Sequence, residues 1–160
     1  MRKGMAAFAA VLIAMTFGMG TAVGGSDRVL GPDGYKGLKL GQSQQAAEAT
    51  GLLRDPQRVG TCTAYYFMES EGSMPRSSGV FVGDTGGVIR IGGTSLMRTP
   101  EGAHDGMALE ELKRRYPELK QDPQLDFIWA SPLPDAEYSF VIQEDGTVKD
   151  FGLQRPGAQC

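Results

Sequence analysis

Short runs of alternating apolar and polar residues fill most of this chain, and glycine-rich turns separate them. Thr61 to Glu69, with its Thr, Tyr and Phe content, reads as a strand, and so do Ser78 to Asp84 and Gly87 to Gly92. The last two meet at Asp84-Thr85-Gly86-Gly87, where glycine supplies the positive φ of a tight hairpin. A second set follows at about Leu125 to Ser131, Glu137 to Glu144 and Thr147 to Leu153, with the hairpin turn at Asp145-Gly146.

Each set of strands is preceded by a short helical pattern. Ser43 can cap the first by accepting an orphan backbone N–H, and Ala46, Ala47, Ala49 and Thr50 carry it to Gly51. The second runs from Ala108 to Tyr116 and ends at Pro117. Glu110 and Glu111 in its first turn, with Lys113, Arg114 and Arg115 in its last, oppose the helix dipole at both ends.

The helix-plus-strands order is therefore written twice. A shift of about 60 residues places Gly146 on Gly86, Val148 on Val88, Ile142 on Val82 and Phe151 on Ile91. A slightly longer shift places Gly102 on Gly37 and Gly106 on Gly41, and the difference falls in loops, where insertions are tolerated. The pattern predicts an α+β fold, a tandem αβββ repeat with two short helices on one face of an antiparallel sheet of about six strands. The repeats span residues 36–98 and 99–160 and share one compact domain. Residues 23–35, with Gly24-Gly25-Ser26-Asp27 and Gly31-Pro32-Asp33-Gly34, read as a flexible lead-in.

The N-terminus places this domain in a compartment. Arg2 and Lys3 precede an uncharged apolar run from Met5 to Phe17, and small residues follow up to Ala22, the pattern of a secretory signal over residues 1–22. An uncleaved anchor is the alternative reading, weakened by the glycines of its second half. No cysteine stands near the cleavage site, which disfavours lipid attachment. Export makes a disulfide the default state of Cys62 and Cys160, tying the last residue to the first strand of the first copy.

Charge removes two partner classes. The chain has 16 basic residues against 19 acidic ones and a net charge of −3, and loss of Arg2 and Lys3 with the leader makes it more acidic still. There is no electrostatic footprint for nucleic acid or for an anionic membrane surface.

Candidate chemistry is thin. His104 is the only histidine, so a zinc site built from several imidazoles is excluded, and a Ser-His-Asp triad would have to use it. Asp126, Asp135, Glu137 and Glu144 are the carboxylates available for an acid pair, and Asp84, Asp145 and Asp150 lack calcium-loop spacing. No cofactor or metal is expected. The aromatics carry more information. Tyr65, Tyr66 and Phe67 are adjacent, so alternation turns at least one of them away from the helices, and Phe127 and Trp129 share a face in the second copy. Tyr and Trp dominate protein interfaces, which makes Tyr65 and Trp129 the candidate contact residues of an open sheet face. The competing assignment for both is the core.

Gly37-Leu38-Lys39-Leu40-Gly41-Gln42-Ser43 with Ala47-Glu48-Ala49-Thr50-Gly51-Leu52, and Thr99-Pro100-Glu101-Gly102 with Gly106, Leu109, Glu111 and Tyr116-Pro117, resemble blocks of small exported actinobacterial proteins of unknown activity. The helix-plus-sheet tandem is similar to that of the beta-lactamase inhibitory protein family, in which an open sheet face binds an enzyme. A more distant likeness is to small envelope lipoproteins. Gln42 stands where those blocks carry an apolar residue, and Ala108 lacks a capping hydroxyl. The resemblance implies a secreted or cell-wall-associated binding protein without catalysis, with an unidentified protein partner and one specific form, inhibition of a secreted hydrolase. The reading from another class is a small extracellular hydrolase using carboxylates or His104.

Overall fold

A computed structural model of the chain describes residues 28–76, 78–157 and 159–160. The expected signal, residues 1–22, and the start of the lead-in lie outside the described residues. The described residues form an α+β fold with two helices and one antiparallel sheet of eight strands, larger than the six expected. In chain order the elements are α1 (Gln44–Glu48), β1 (Leu53–Val59), β2 (Cys62–Phe67), β3 (Val80–Gly83), β4 (Gly87–Gly92), α2 (Leu109–Arg115), β5 (Lys120–Gln121), β6 (Ile128–Pro132), β7 (Glu137–Ile142) and β8 (Val148–Gln154). A 3-10 turn, Glu69–Glu71, follows β2.

Across the sheet the strand order is β1-β2-β3-β4-β8-β7-β6-β5. The first four strands make one half, the last four the other, and β4 meets β8 at the centre. The two strands absent from the hydrophobic pattern, β1 and β5, are the two edges. In β1, Leu-Arg-Asp-Pro-Gln-Arg-Val does not alternate, and the pairing with β2 shifts between Arg54 and Gln57 around Asp55, whose φ is 53°. Pro56 cannot donate to a ladder, so it is tolerated only where one side of the strand is unpaired. A bulged, charged, proline-bearing edge also discourages pairing with another chain. The other edge, β5, is only two exposed polar residues.

One row of partners runs across the sheet from Tyr65 through Val80, Ile91 and Leu153 to Tyr138. All five are buried, and this is the face that both helices cover. Burying a side chain of this size contributes about 1.5–3 kcal/mol relative to exposure. The α1 helix presents Ala47, and Ser43 Oγ accepts from Ala46 N at 3.2 Å as its cap. The α2 helix inserts Leu112, and Tyr116 follows it to pack on Phe140 with ring centroids 5.2 Å apart. Ala108 offers α2 no side-chain cap. The β7–β8 hairpin supplies the acceptor instead, with Leu109 N donating to Gly146 O at 2.9 Å.

The lead-in departs from expectation over its described part. Leu30 and Tyr35 are fully buried, Leu30 N donates to Arg98 O at 2.9 Å, and the Tyr138 hydroxyl donates to Leu30 O at 3.0 Å. The glycine turns at Gly31 and Gly34 let two apolar residues fold onto the core; they are not a linker. Cys62 and Cys160 form a disulfide with Cα atoms 5.3 Å apart, pinning the end of the chain to β2. Among the described residues no helix is long and apolar enough to cross a membrane.

Candidate functional site: the helix-free face of the sheet

Strand alternation sends the other half of the side chains to the face without helices. One cross-strand row there is Ala64, Phe81, Arg90, Gln154, Glu137 and Pro132. The neighbouring row is Gly92, Gly152, Ser139, Ala130 and Lys120. Tyr66 stands on the same face as Ala64, two residues on. Ala64, Tyr66, Phe81, Ile128, Ala130 and Val141 are all half-buried although no helix covers them.

At the centre lies an ion pair. Arg90 Nη2 donates to Asp150 Oδ2 at 3.1 Å, and Nη1 donates to Gln154 Oε1 at 2.6 Å and to Ser139 Oγ. Gln154 passes the chain on, donating from Nε2 to Glu137 Oε1 at 2.7 Å. The side chains of Arg90 and Asp150 are only 16% and 6% exposed. Such burial needs room, and Gly152 provides it: a Cβ there would lie 3.0 Å from Arg90 Cζ. The second carboxylate oxygen, Asp150 Oδ1, is buried without a hydrogen-bond partner among the described residues. Two clefts open along the sheet, one at the β1–β2 edge and one beside the Ser139–Gln154 end of this cluster. One of about 680 Å³ is lined by Arg54, Tyr66, Met74 and Arg76, and one of about 480 Å³ by Ile128, Ala130, Ser139 and Gln159.

Tyr65 and Trp129, the expected contact residues of this face, stand on the opposite one. Tyr65 is 3% exposed, pairs with Val80 and donates its hydroxyl to Glu48 of α1. Burial, and then the Glu48 carboxylate, push its pKa up to about 12. Trp129 pairs with Phe140 and is half-buried against α2, where Lys113 Nζ lies 5.1 Å from its ring centroid. The three adjacent aromatics do split between faces, but Tyr66 is the outward one. Alternation fixes that neighbours differ in side; which side is which depends on α1 lying over Tyr65, a tertiary fact.

Sequence reading missed Arg90 and weighed Asp150 only as a calcium ligand, although a signal for the pair existed. Arg90 is the one charge in Val88-Ile89-Arg90-Ile91, and Asp150 falls on the same side of Val148-Lys149-Asp150-Phe151 as Gly152, opposite to the exposed Lys149, in a strand that turns out to be a neighbour.

The remaining candidates are dispersed. His104 is exposed, its Nδ1 lies 2.7 Å from the Asp105 carbonyl oxygen, and among the described residues neither a serine hydroxyl nor a carboxylate is hydrogen-bonded to it. Asp126, Asp135 and Glu144 are exposed, and Glu137 is held by Gln154. Asp84 pairs with Arg58, which lowers its pKa, while Asp145 accepts from Thr147 N at 2.9 Å and Oγ1 at 2.7 Å in the hairpin turn. Among the described residues no three His, Cys, Asp or Glu side chains gather as a metal-holding group. No protein-family model, curated protein or solved structure matches the chain.

Proposed function

We propose that this chain is an exported, noncatalytic binding protein that engages a protein partner through the helix-free face of its sheet. The observation that carries the reading is the half-buried apolar set around Tyr66 and Phe81, arranged about the Arg90–Asp150 pair on a face that no helix covers. Aromatic residues and arginine are the residue types that anchor protein interfaces, and a framework buried this deeply holds them without an ordering cost on binding. Inhibition of a secreted hydrolase, the activity implied by the resemblance to the beta-lactamase inhibitory protein family, is the specific form.

Duplication of one helix-plus-strands unit, with four strands in each half where three were expected, is part of the same proposal. Gly41 N donates to Val88 O at 2.7 Å, and Val88 N to Gln42 O at 2.8 Å. In the second half Gly106 N donates to Val148 O at 2.7 Å, and Val148 N to Met107 O at 2.8 Å. The residues that match under the sequence shift thus make matching bonds, which supports a common origin for the halves. Export is supported by the Cys62–Cys160 bridge, a linkage that persists in oxidising compartments.

The test is capture from culture medium by the folded, oxidised chain, with partners identified by mass spectrometry. Wild type should retain a defined protein that Tyr66→Asp and Phe81→Asp variants, folded by circular dichroism, release. Recovery of nothing above background, or equal retention by the variants, would count against the open face as a binding surface.

A further inference from the structure

A third cleft lies on the helix side of the sheet, where the β6 entry and the β7–β8 hairpin come together beyond α2. It is an open cleft of about 480 Å³ lined by Trp129, Phe127, Leu109 and Ile142, with Asp126 and Glu144 among its polar members. Ile142 N donates to Phe127 O at 2.7 Å, which draws the hairpin against the start of β6 and brings the two carboxylates to one cleft. Phe127 is 46% exposed, which leaves its ring open at the wall of the cleft.

The charges here are unbalanced. On the neighbouring helix Glu110 is held by Lys113 and Glu111 by Arg115. Asp126 and Glu144, both exposed, make no ion pair or side-chain hydrogen bond among the described residues. Lys113 also reaches over the Trp129 ring, so the indole already serves as a platform for an ammonium group from a residue that does not line the cleft.

We propose that this cleft binds a cationic side chain, lysine or arginine, presented by a partner polypeptide. The methylene stem lies on Leu109 and Ile142, as long basic side chains do on apolar surface, and the charged head meets two carboxylates and the negative faces of the rings. An anionic ligand would face the same two carboxylates without compensation. This site is on the opposite side of the sheet from Tyr66 and Phe81, and the inference does not depend on the open-face reading.

Trp129 is the only tryptophan in the chain, so its emission reports this cleft alone. The full oxidised chain is titrated with acetylated tetralysine amide and, separately, with acetylated tetraglutamate amide. Tetralysine should shift the emission saturably and tetraglutamate should not. The double variant Asp126→Asn/Glu144→Gln should bind tetralysine about tenfold more weakly, as expected for loss of two charge contacts. Asp33→Asn, which removes a carboxylate outside the cleft, should leave the affinity unchanged. Absence of a saturable response would overturn the proposal, as would equal weakening by Asp33→Asn, which would mark the binding as general charge attraction.

Discussion

Asp150→Ala should destabilise the fold far more than its position on a helix-free face suggests. The side chains of Arg90 and Asp150 are 16% and 6% exposed, so the pair has left most of its water behind. Removing one member of a buried pair leaves an uncompensated charge and costs about 3–5 kcal/mol. Arg90 would keep Gln154 and Ser139 as neutral acceptors, which places the expected loss near the lower end, about 3 kcal/mol. Arg90→Met leaves Asp150 with neither oxygen partnered, because Oδ1 has no hydrogen bond to begin with, and its cost should be at least as large. The double variant Arg90→Met/Asp150→Ala removes both charges and should lose less than the singles add up to, with a coupling of at least about 2 kcal/mol. Urea unfolding followed by circular dichroism, with the slopes compared across the four proteins, measures the cycle. A loss below about 1 kcal/mol for Asp150→Ala, or single effects additive within about 0.5 kcal/mol, would mean that the pair is hydrated and that the centre of this face is not buried.

The disulfide spans a sequence separation of 98, for which chain entropy gives about 4–5 kcal/mol, so Cys160→Ser should lower urea stability by up to that amount. Alkylation without reductant that adds mass at two thiols, in protein taken from the medium, would refute the bridge. Gly93→Ala should cost about 2–3 kcal/mol, since its Cβ would lie 2.4 Å from Phe151 Cζ in the core; a wild-type melting temperature would contradict that packing. Burial raises the pKa of Tyr35, Tyr65, Tyr116 and Tyr138, Tyr65 to about 12. The unfolded chain ionises near pH 10 and the folded one resists, so stability is complete below pH 10 and is lost as pH rises towards 12 and beyond. Tyrosinate absorbance should therefore rise together with loss of near-ultraviolet ellipticity. Titration of these four hydroxyls near pH 10 with the ellipticity intact would show that they are accessible.

What the sequence displayed depended on how each element is stabilised. Gly87–Gly92 and the two helices were visible because an apolar face or a charge gradient along the helix is written into adjacent residues. Each edge strand was invisible for a physical reason: β1 carries Asp55-Pro56 and a bulge, and β5 is two exposed polar residues, so neither has a buried face to advertise. Leu30 and Tyr35 were hidden by the turn chemistry around them, although those same turns deliver both side chains to the core. The split of Tyr65 and Tyr66 between faces was legible, but its direction was not, because it follows from where α1 comes to rest.

The central ladder also explains why charge stands where an apolar core would be simpler. Only three residue pairs join β4 to β8, and one of them is Gly92 with Gly152. Glycine-rich strands specify register weakly, and a slip of one residue would turn every side chain to the wrong face. The two halves of the sheet meet along this one ladder, so an error there would misalign both. Arg90 contacts Gln154 and Asp150 on β8 and Ser139 on β7, and those contacts coexist only in the observed register. A slip would leave a guanidinium and a carboxylate buried apart, at a cost that an aliphatic pair could not impose. The glycine at position 152 that weakens the ladder is also what admits the Arg90 side chain. Weak backbone specification and its electrostatic correction thus occupy the same few residues, at the centre of the half-apolar face that carries Tyr66 and Phe81.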